Sequence, residues 1–529
     1  MKKFIAALLV VMTVGSLLFA GGAAEEATTG AIPERDVNTP LYPIEGTPKF
    51  TYWTPINSNC TKYISSYNEN EAYQEIQRRT GVELQFIHPV AGQEKVQFNL
   101  IMASGELPDI MQEASLYEGG EEQGFRDGAF VDLTPYLPTY APDYWKLLQD
   151  DPELKRECMT EDGRIIAFYK VASSPVPPWC RAIARADWLE EFGMEAPMTI
   201  EEYEAYFDAI LANKPGVVPF MLPQQHSSAD HNLVEIFYGA FDIFPDFYVK
   251  DGTIHHGKGD AELLEYLKLM NRWYKKGYIS KDFPALETKQ VWALFDSGRI
   301  GMYIDTVDGA RQRTIKAGVP MTGCPYPREN KDSGYHTALA TWPKNGNVTC
   351  ITTACKNIPA AVAFLNYGYS EEGSMLYNYG IEGKMYNMVD GVPKYTDYVL
   401  NNPVFGPEAS NYILRIHFAP KKLVGTPLIF NPSLAKDEAA VENRLRFTDD
   451  PTVDSSYRLP PIKLTAEELA ERAPIMTNVK TYADEMILKF IIGSESLDNF
   501  DKYIAQLNKY GLDRAIEITQ DAYDRYVGK

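Results

Sequence analysis

Apolar and polar residues alternate with two different periods in the first folded stretch of the chain. KFTYW (49–53) and VELQF (82–86) change character at every residue, which is typical of half-buried strands. Between and after them, NENEAYQEIQRRTG (68–81) and EKVQFNLIMASG (94–105) carry apolar residues at helical spacing and end at glycine. A third short strand, DIM, follows. The order strand, helix, strand, helix, strand predicts two βαβ units that share a parallel sheet.

Residue types at the helix ends and on the helix faces add detail to this prediction. Asn70 is suited to cap the first helix, and Gly81 is suited to end it. In the second helix Val96, Leu100 and Ala103 fall on one face. The same helical period predicts further helices later in the chain, within residues 184–211, 262–277, 481–493, 497–511 and 512–527.

The amino-terminal residues predict export. Two lysines precede an uncharged apolar run that ends at Phe19 and is followed by small residues, so residues 1–22 are expected to be a secretory signal peptide. The Pro-, Gly- and Thr-containing residues 23–46 predict a flexible linker. Glycines stand where a lipid-anchored protein needs a cysteine, and the first cysteine is Cys60. We therefore expect a periplasmic or extracytoplasmic protein without a lipid anchor.

Length and charge narrow the class of protein. A chain of 529 residues exceeds the roughly 250 to 300 residues at which single cores stop growing, so two lobes are expected. The formal net charge of -21 repels nucleic acid and anionic lipid, which excludes a nucleic-acid partner. We expect a monomer.

Six cysteines are too few for a disulfide scaffold in a chain of this length. Export permits disulfides, and Cys350 with Cys355 or Cys158 with Cys180 could pair. Buried thiols are an equally good interpretation. No Cys/His spacing indicates zinc, so no metal or other cofactor is expected.

Motifs of catalysis are absent from the sequence: it has no GxSxG, HExxH, GxxxxGK[ST] or GxGxxG. With 72 acidic residues, a pair of carboxylates could be drawn almost anywhere, so such pairs carry no information. The expected function is therefore binding without catalysis. A periplasmic carbohydrate-active enzyme, a glycosidase or lyase, is the alternative.

Aromatic residues make up 12% of the chain, and three tryptophans stand in polar, loop-like surroundings: Trp53, Trp179 and Trp342. An indole face packs well on the apolar C–H face of a sugar ring, while neighbouring polar groups bond the sugar hydroxyls. These tryptophans therefore indicate a carbohydrate ligand. For each of them, a half-buried core position is an equally good interpretation.

Three stretches together resemble one known family. EKVQFNLIMASGELPDIM (94–111), ALFDSGRIGMYIDTVDG (293–309) and AVAFLNYGYSEEGSMLYNYGIEGKMYNMVDGVPKY (361–395) are similar to segments of the family 1 extracellular solute-binding proteins of ABC importers. The resemblance is to their long, lipoprotein-like oligosaccharide-binding branch, and the carboxyl-terminal residues 489–526 resemble it too.

The resemblance implies an α/β, two-lobed type II periplasmic-binding-protein fold, in which each lobe is a mostly parallel sheet flanked by helices, with extra carboxyl-terminal helices. Lobe 1 would comprise residues 47–178 and 323–378, and lobe 2 residues 179–322 and 379–529. An oligosaccharide would bind in the cleft, and the closed form would deliver it to the transmembrane subunits of an ABC permease. Many members carry a calcium loop after their PxTxEE helix. Here the corresponding segment, FDAILANKPGVVPF (207–220), contains no such loop, so no calcium is expected there.

Ligand-binding residues are expected where strands end, because ligands of open α/β sheets settle beyond the carboxyl ends of the strands. The other positions come from the proposed lobe crossings and from the segments that resemble the family. A surface salt bridge is the alternative role for Arg181, and the turn itself is the alternative for Glu382. The predicted ligand-binding residues are Trp53, Glu113, Trp179, Arg181, Gln224, Trp292, Asp305, Trp342, Glu382 and Tyr386.

Overall fold

The computed structural model describes residues 32–36, 38–56, 60–61, 63–160, 162–172, 180–222, 235–286, 288–306, 318–336, 348–402, 422–423, 453–454 and 456–528. Its strands are β1 Lys49–Trp53, β2 Glu83–Ile87, β3 Ile110–Gln112, β4 Val171–Ala172, β5 Cys180–Arg185, β6 Val218–Met221, β7 Phe247–Lys250, β8 Thr253–His256, β9 Ile300–Thr306, β10 Met321–Gly323, β11 Tyr335–His336, β12 Thr349–Ile351, β13 Tyr386–Val389, β14 Val392–Tyr395, β15 Lys422–Leu423 and β16 Val453–Asp454. Its helices are α1 Glu71–Thr80, α2 Glu94–Ser104, α3 Gly120–Arg126, α4 Leu137–Tyr140, α5 Pro142–Asp150, α6 Pro152–Cys158, α7 Ala186–Phe192, α8 Ile200–Asn213, α9 Leu263–Lys276, α10 Thr288–Asp296, α11 Ile358–Asn366, α12 Glu371–Tyr379, α13 Asp397–Leu400, α14 Ala466–Ile492, α15 Phe500–Lys509 and α16 Leu512–Val527.

The first sheet has the strand order β12-β3-β1-β2, in which β1 is parallel to both β2 and β3 and β12 is antiparallel to β3. This confirms the two βαβ units. The predicted ends of α1 are also confirmed, because Asn70 Oδ1 accepts hydrogen bonds from the backbone N–H groups of Ala72 and Tyr73 and Gly81 adopts a left-handed φ of 74°. Local signals in the sequence therefore set this part of the fold.

The second sheet has the order β10-β5-β9-β6, and it is not mostly parallel as expected. Strands β6 and β9 are parallel, but β5 runs antiparallel to both β9 and β10. The reason lies in the connections. Parallel neighbours need a crossover that brings the chain back to the same edge, whereas β5 carries the chain in from the first lobe in the opposite direction to β9.

The two sheets have separate main hydrophobic cores, and a smaller third cluster that includes Met221 and Phe295 also packs with the second sheet. The first surrounds β1 to β3 and includes Tyr52, Phe130 and Tyr369, and the second surrounds β5, β6 and β9 and centres on Phe207 and Trp273. The chain passes between the cores after residue 172, after residue 336 and after residue 402. Strand β4 pairs in parallel with β15 next to the first and third of these passages.

Packing moves two segments relative to the boundaries expected from sequence. Tyr326 and Tyr335, which were expected in lobe 1, are buried in the second core. Tyr386, Tyr395 and Val399, which were expected in lobe 2, are buried in the first core. Both segments are short and rich in aromatic residues. Such a pattern predicts that the side chains are buried, but it does not predict against which sheet they pack.

The end of the expected linker packs on the first core. The Tyr42 hydroxyl donates a hydrogen bond to the Ala363 carbonyl oxygen at 2.7 Å, and its ring meets that of Tyr367 edge-on at 5.1 Å. The Ile44 N–H donates to the Thr80 carbonyl oxygen at 2.7 Å. Residues 42–46 therefore contact the first lobe, because Tyr42 and Ile44 supply apolar surface that the lobe buries.

Helix α2 forms as predicted, but its shared face of Val96, Leu100 and Ala103 points to solvent. Val96 is 59% exposed and Leu100 is 64% exposed. The helix is held instead by Phe98, which is fully buried and lies edge-on to Trp53 at 5.4 Å.

The carboxyl-terminal helices α14, α15 and α16 complete the second lobe as expected, and α14 begins earlier than predicted. Thr465 and Glu468 form a capping box at its start, and its last turns pack on α9 through Phe490. Across the part of the chain that the structure describes, none of the helices combines the length and the apolar character needed to cross a bilayer.

Cys350 and Cys355 are separate, buried thiols, so the pairing considered for them does not form. Burial raises the pKa of Cys355 to about 12 and that of Cys350 well above its usual value, which keeps both protonated and unreactive. The side chain of Cys180 lies outside the described residues.

Candidate ligand-binding site

Polar residues gather where the parallel strands of the first sheet end. Thr54, His88, Gln112 and Glu113 stand at the ends of β1, β2 and β3, and we call this group the first edge. The Thr54 hydroxyl donates to Gln112 Oε1 at 2.5 Å, within a fully buried pair. These strand ends meet because parallel strands finish on the same side of a sheet.

His88 holds the first edge in shape. Its Nε2 accepts a hydrogen bond from the Tyr67 backbone N–H at 3.2 Å, so Nδ1 must carry the proton that it donates to the Thr54 carbonyl oxygen at 2.7 Å. Burial lowers the pKa of His88, which keeps the ring neutral. With both nitrogens engaged, His88 positions the backbone of Thr54.

Glu113 is the strained member of the first edge. It directly follows β3 with φ 59° and ψ 35°, a left-handed conformation that costs a residue with a Cβ roughly 1–2 kcal/mol. Its side chain is half-buried, and this burial raises the pKa of the carboxyl group. Backbone strain and desolvated carboxylates are both common at functional sites, so Glu113 stays a predicted ligand contact.

Gln112, which sequence reasoning missed, adds a buried donor beside Glu113. It is fully buried, and its Nε2 has no hydrogen-bond partner among the described residues. An unpaired buried amide costs about 1–3 kcal/mol unless a ligand or water satisfies it. Its position at the end of β3 could have identified it as a candidate. The alternation of apolar and polar residues, however, does not distinguish a buried site residue from a core residue.

Trp53 belongs to the core and offers no free face to a sugar. It is 1% exposed, and its ring lies edge-on to Phe98. The alternative interpretation, a core aromatic, therefore holds. The polar neighbours of Trp53 in the sequence suggested a loop, but as the last residue of β1 it still faces the inside of the lobe.

The second sheet also collects polar residues at one edge. Strand register places Arg181, at the start of β5, opposite Asp305, at the end of β9, so the structure brings these two predicted residues together. Strand β6 runs parallel to β9 and ends at Met221 beside Tyr303, on the same side of the sheet. We call Arg181, Asp305 and Tyr326 the second edge.

Arg181 carries its charge on a stack of tyrosines. The guanidinium lies 3.6 Å from the centre of the Tyr326 ring, and Tyr326 stacks on Tyr335 at 4.3 Å with planes 9° apart. Only 1% of Arg181 is exposed, so its side chain is buried and does not lie at the surface, where the alternative role placed it. Cation–π contact of this kind fixes the guanidinium plane. Tyr326 was missed because the stack joins residues that are distant from Arg181 in the sequence.

Glu382 and Tyr386 lie elsewhere. They line a depression of about 400 Å³ together with Arg79 and Glu372, along α1 and α12, and no residue of either edge lines it. The Gly383 N–H donates to the Tyr386 carbonyl oxygen at 2.8 Å, with Gly383 at φ 79°. These contacts support the alternative interpretation of GIEG as a structural turn.

The remaining predicted residues lie wholly or partly outside the described residues. Trp179, Gln224 and Trp342 lie outside the described residues. The backbone of Trp292 lies in α10, and its side chain is outside the description. Trp179 directly precedes β5, Gln224 follows β6, and Trp342 lies between β11 and β12.

Two α/β cores, between which the described chain changes over after residues 172, 336 and 402, each carry polar residues at one sheet edge and together define a two-lobed binding protein. A family model for bacterial extracellular solute-binding proteins matches residues 66–375. The match covers more than half of the chain, and the chain belongs to this family.

Individual relatives are similar to this chain over most of its length. The polygalacturonan/rhamnogalacturonan-binding protein YtcQ of Bacillus subtilis (strain 168) is 24% identical over 474 residues, which are 86% of this chain and 88% of that protein. The fructooligosaccharide ABC transporter substrate-binding protein FusA of Streptococcus pneumoniae serotype 4 is 20% identical over 494 residues, or 87% of each. A crystal structure of the alginate-binding protein AlgQ2 without calcium ion gives a TM-score of 0.70 at 22% identity and covers 92% of this chain and 99% of that one. This structural likeness confirms the predicted two-lobed fold.

Proposed function

We propose that this protein is the extracytoplasmic solute-binding component of an ABC importer and that it binds an oligosaccharide between its two lobes. The observation that carries the proposal is the pair of polar strand edges on two independent cores. Family membership supports binding as the activity, and the names of YtcQ, FusA and AlgQ2 support a carbohydrate as the ligand. The transmembrane permease is the partner that such a component serves.

The lobes in this proposal follow the packing. Lobe 1 comprises residues 38–172 and 348–402, and lobe 2 comprises residues 180–336 and 456–528. Glu113 contacts the ligand from lobe 1 and Asp305 contacts it from lobe 2, while the buried Arg181 holds the second edge beside Asp305. Only the closed form lets both edges reach one ligand, so binding shifts the hinge equilibrium toward closure.

Residues next to the lobe passages complete the proposed cleft. Trp179 precedes β5, Gln224 follows β6 and Trp342 precedes β12, so each adjoins an edge in the chain, and Trp292 is kept as a proposed contact on α10. Trp53, Glu382 and Tyr386 are assigned structural roles. The protein is proposed to act as an exported monomer whose residues 1–22 are a signal peptide.

A thermal-shift screen over neutral and acidic oligosaccharides tests the ligand class. A sugar present at about 100 times its dissociation constant should add roughly 2.7 kcal/mol of stability. Mass spectrometry of the recovered sugar should find it intact. A cleaved sugar would replace this proposal by the enzyme alternative, and a panel without any stabilising sugar would remove carbohydrate as the ligand class.

Variants test the two edges with the sugar that the screen identifies. Glu113→Gln and Asp305→Asn should each weaken binding about tenfold or more, because hydrogen bonds to charged groups contribute about 1.5–3 kcal/mol. Glu106→Gln is the matched control, since this exposed glutamate precedes β3 whereas Glu113 follows it. X-ray scattering should show compaction on binding. Equal affinity in all three variants, or no compaction, would contradict a cleft between the edges.

A further inference from the structure

A second cavity lies within lobe 2, apart from both edges. It has a volume of about 680 Å³ and sits between the β7–β8 hairpin, the first half of α14 and the segment 459–464 that precedes this helix. The volume falls in the range of small-molecule sites, about 300–1,000 Å³. None of the residues predicted from the sequence to bind ligand lines it.

The charges of this cavity are opposite to those of the chain. Lys258, Arg472 and Lys480 line it together with one carboxylate, Asp246. Asp484 lies between the two lysines, 2.7 Å from Lys258 Nζ and 2.6 Å from Lys480 Nζ. Three cations against two carboxylates leave a local excess of positive charge in a protein of formal charge -21.

Arg472 is the source of this excess. Its Nη1 donates to the Thr519 hydroxyl at 2.9 Å, and its guanidinium lies 5.1 Å from the centre of the Phe247 ring. Within the described chain, no carboxylate lies within the 4 Å of an ion pair with it. Burial lowers the pKa of Arg472 without removing its charge. Asp246 and Glu468 favour its charge from farther away, but a half-buried guanidinium that has no carboxylate in contact is costly unless an anion reaches it.

His256 supplies a second unsatisfied group on the same cavity. Only 3% of it is exposed, and its Nδ1 has no hydrogen-bond partner among the described residues. Its Nε2 lies 3.6 Å from Asp246 Oδ1, a carboxylate that is mostly exposed. Burial lowers the pKa of His256 to about 4, so the neutral ring can donate or accept one further hydrogen bond.

The rest of the wall is apolar. Phe247, Ile462 and Met476 line the cavity beside these polar groups. A small inorganic anion would leave this surface uncovered, whereas an organic anion would contact both parts. Pockets that combine an apolar wall with a few placed polar groups are typical of small-molecule sites.

We propose that this cavity is a second binding site, for a small amphipathic anion that bears a carboxylate or phosphate group on an apolar body. The anionic oxygens accept hydrogen bonds from Arg472 and Lys480, and His256 bonds the same group or its neighbour. The apolar body packs on Phe247 and Met476. This site is separate from the sugar cleft, and the proposal does not depend on the nature of the sugar.

Calorimetric titration of the full protein with hexyl phosphate, hexanoate, inorganic phosphate and hexanol tests the proposal. One or both of the six-carbon anions should bind at least tenfold more tightly than hexanol and than inorganic phosphate, and the tighter one identifies the anionic group. The imidazole proton signals of His256 should shift in NMR spectra at the same concentrations. Hexanol or inorganic phosphate binding as well as the organic anions would overturn the proposal, as would unchanged His256 signals.

Lys480→Gln and Lys489→Gln form a matched pair of variants. Both lysines lie on α14 and pair with an acidic residue four positions away, Lys480 with Asp484 and Lys489 with Glu485, but only Lys480 lines the cavity. Lys480→Gln should weaken anion binding several-fold while Lys489→Gln leaves it unchanged, and equal affinities in the two variants would overturn the proposal. Arg472→Met should reduce binding at least tenfold. If that variant does not fold, the lysine pair decides the question alone.

Discussion

Replacing Glu113 by glycine should make the free protein more stable. A left-handed residue with a Cβ costs roughly 1–2 kcal/mol, and Glu113 has φ 59°. Replacement by glycine removes this strain but costs roughly 0.5–1 kcal/mol of stability, because glycine loses more conformational freedom on folding. The net gain is about 0.5–1 kcal/mol, which corresponds to about 1–4 °C in Tm for a lobe of this size.

Glu113→Gln separates the charge from the backbone strain. Burial raises the pKa of the Glu113 carboxyl above its ordinary value of 4.5, so the folded state prefers the protonated form. The wild-type protein therefore loses stability as pH rises from about 4.5 through the raised pKa, and the glutamine variant does not. The difference in Tm between variant and wild type should be near zero at pH 4 and positive at pH 7.

Thermal unfolding followed by circular dichroism at both pH values measures these effects. Glu106→Gln is the control for the charge, because this glutamate is exposed. Asp390→Gly is the control for the backbone, because Asp390 has φ 52° in the β13–β14 turn and lies far from the first edge in the chain. The reasoning is refuted if Glu113→Gly lowers Tm at pH 7, or if the gain of Glu113→Gln is the same at both pH values.

Three further predictions concern the cores and the pH dependence. Asn366→Ala should lower the unfolding free energy by about 2–3 kcal/mol in urea titrations, because the buried Asn366 Oδ1 accepts from the N–H groups of Asp143 and Tyr144, which would lose their partner; a loss below 0.5 kcal/mol would contradict this. Trp273→Ala should cost about 3–5 kcal/mol, since the ring is fully buried at the centre of the second core, and scanning calorimetry should show the loss. His256→Phe should reduce acid sensitivity: a pKa of about 4 against 6.5 in the unfolded chain means that wild type loses about 3 kcal/mol relative to the variant as pH falls from 6.5 to 4, and parallel pH profiles would disprove it.

Much of the first lobe was predictable because its signals are local. Strands β1 and β2 follow from alternation, and α1 follows from its period, its Asn70 cap and its Gly81 stop. Resemblance to a known family then supplied the two-lobed fold, which the structural comparison confirmed. The prediction of these features depends only on residues within one helical turn or one strand, or on motifs that are contiguous in the sequence.

The candidate site was predictable in part. The rule that ligands lie beyond strand ends led to Glu113, and the resemblance led to Arg181 and Asp305. The same rule also led to Trp53, because the position of a residue at a strand end does not show whether its side chain faces the core or the cleft. Trp53 faces the core. Tyr326 escaped notice because it follows β10, and only the folded sheet brings it next to Arg181 on β5.

By itself, the sequence determined where the first strands and helices begin and end, that the protein has two lobes, and which family it resembles, since all of these depend on local pattern or on contiguous motifs. Only the tertiary structure decided that Trp53 is core, that the shared apolar face of α2 points to solvent, and that Arg181 lies on a tyrosine stack. Only the tertiary structure placed three cations beside a buried histidine in lobe 2. The physical reason is that burial and electrostatics depend on distances in space between residues that are far apart in the sequence, and a pattern along the chain does not contain those distances.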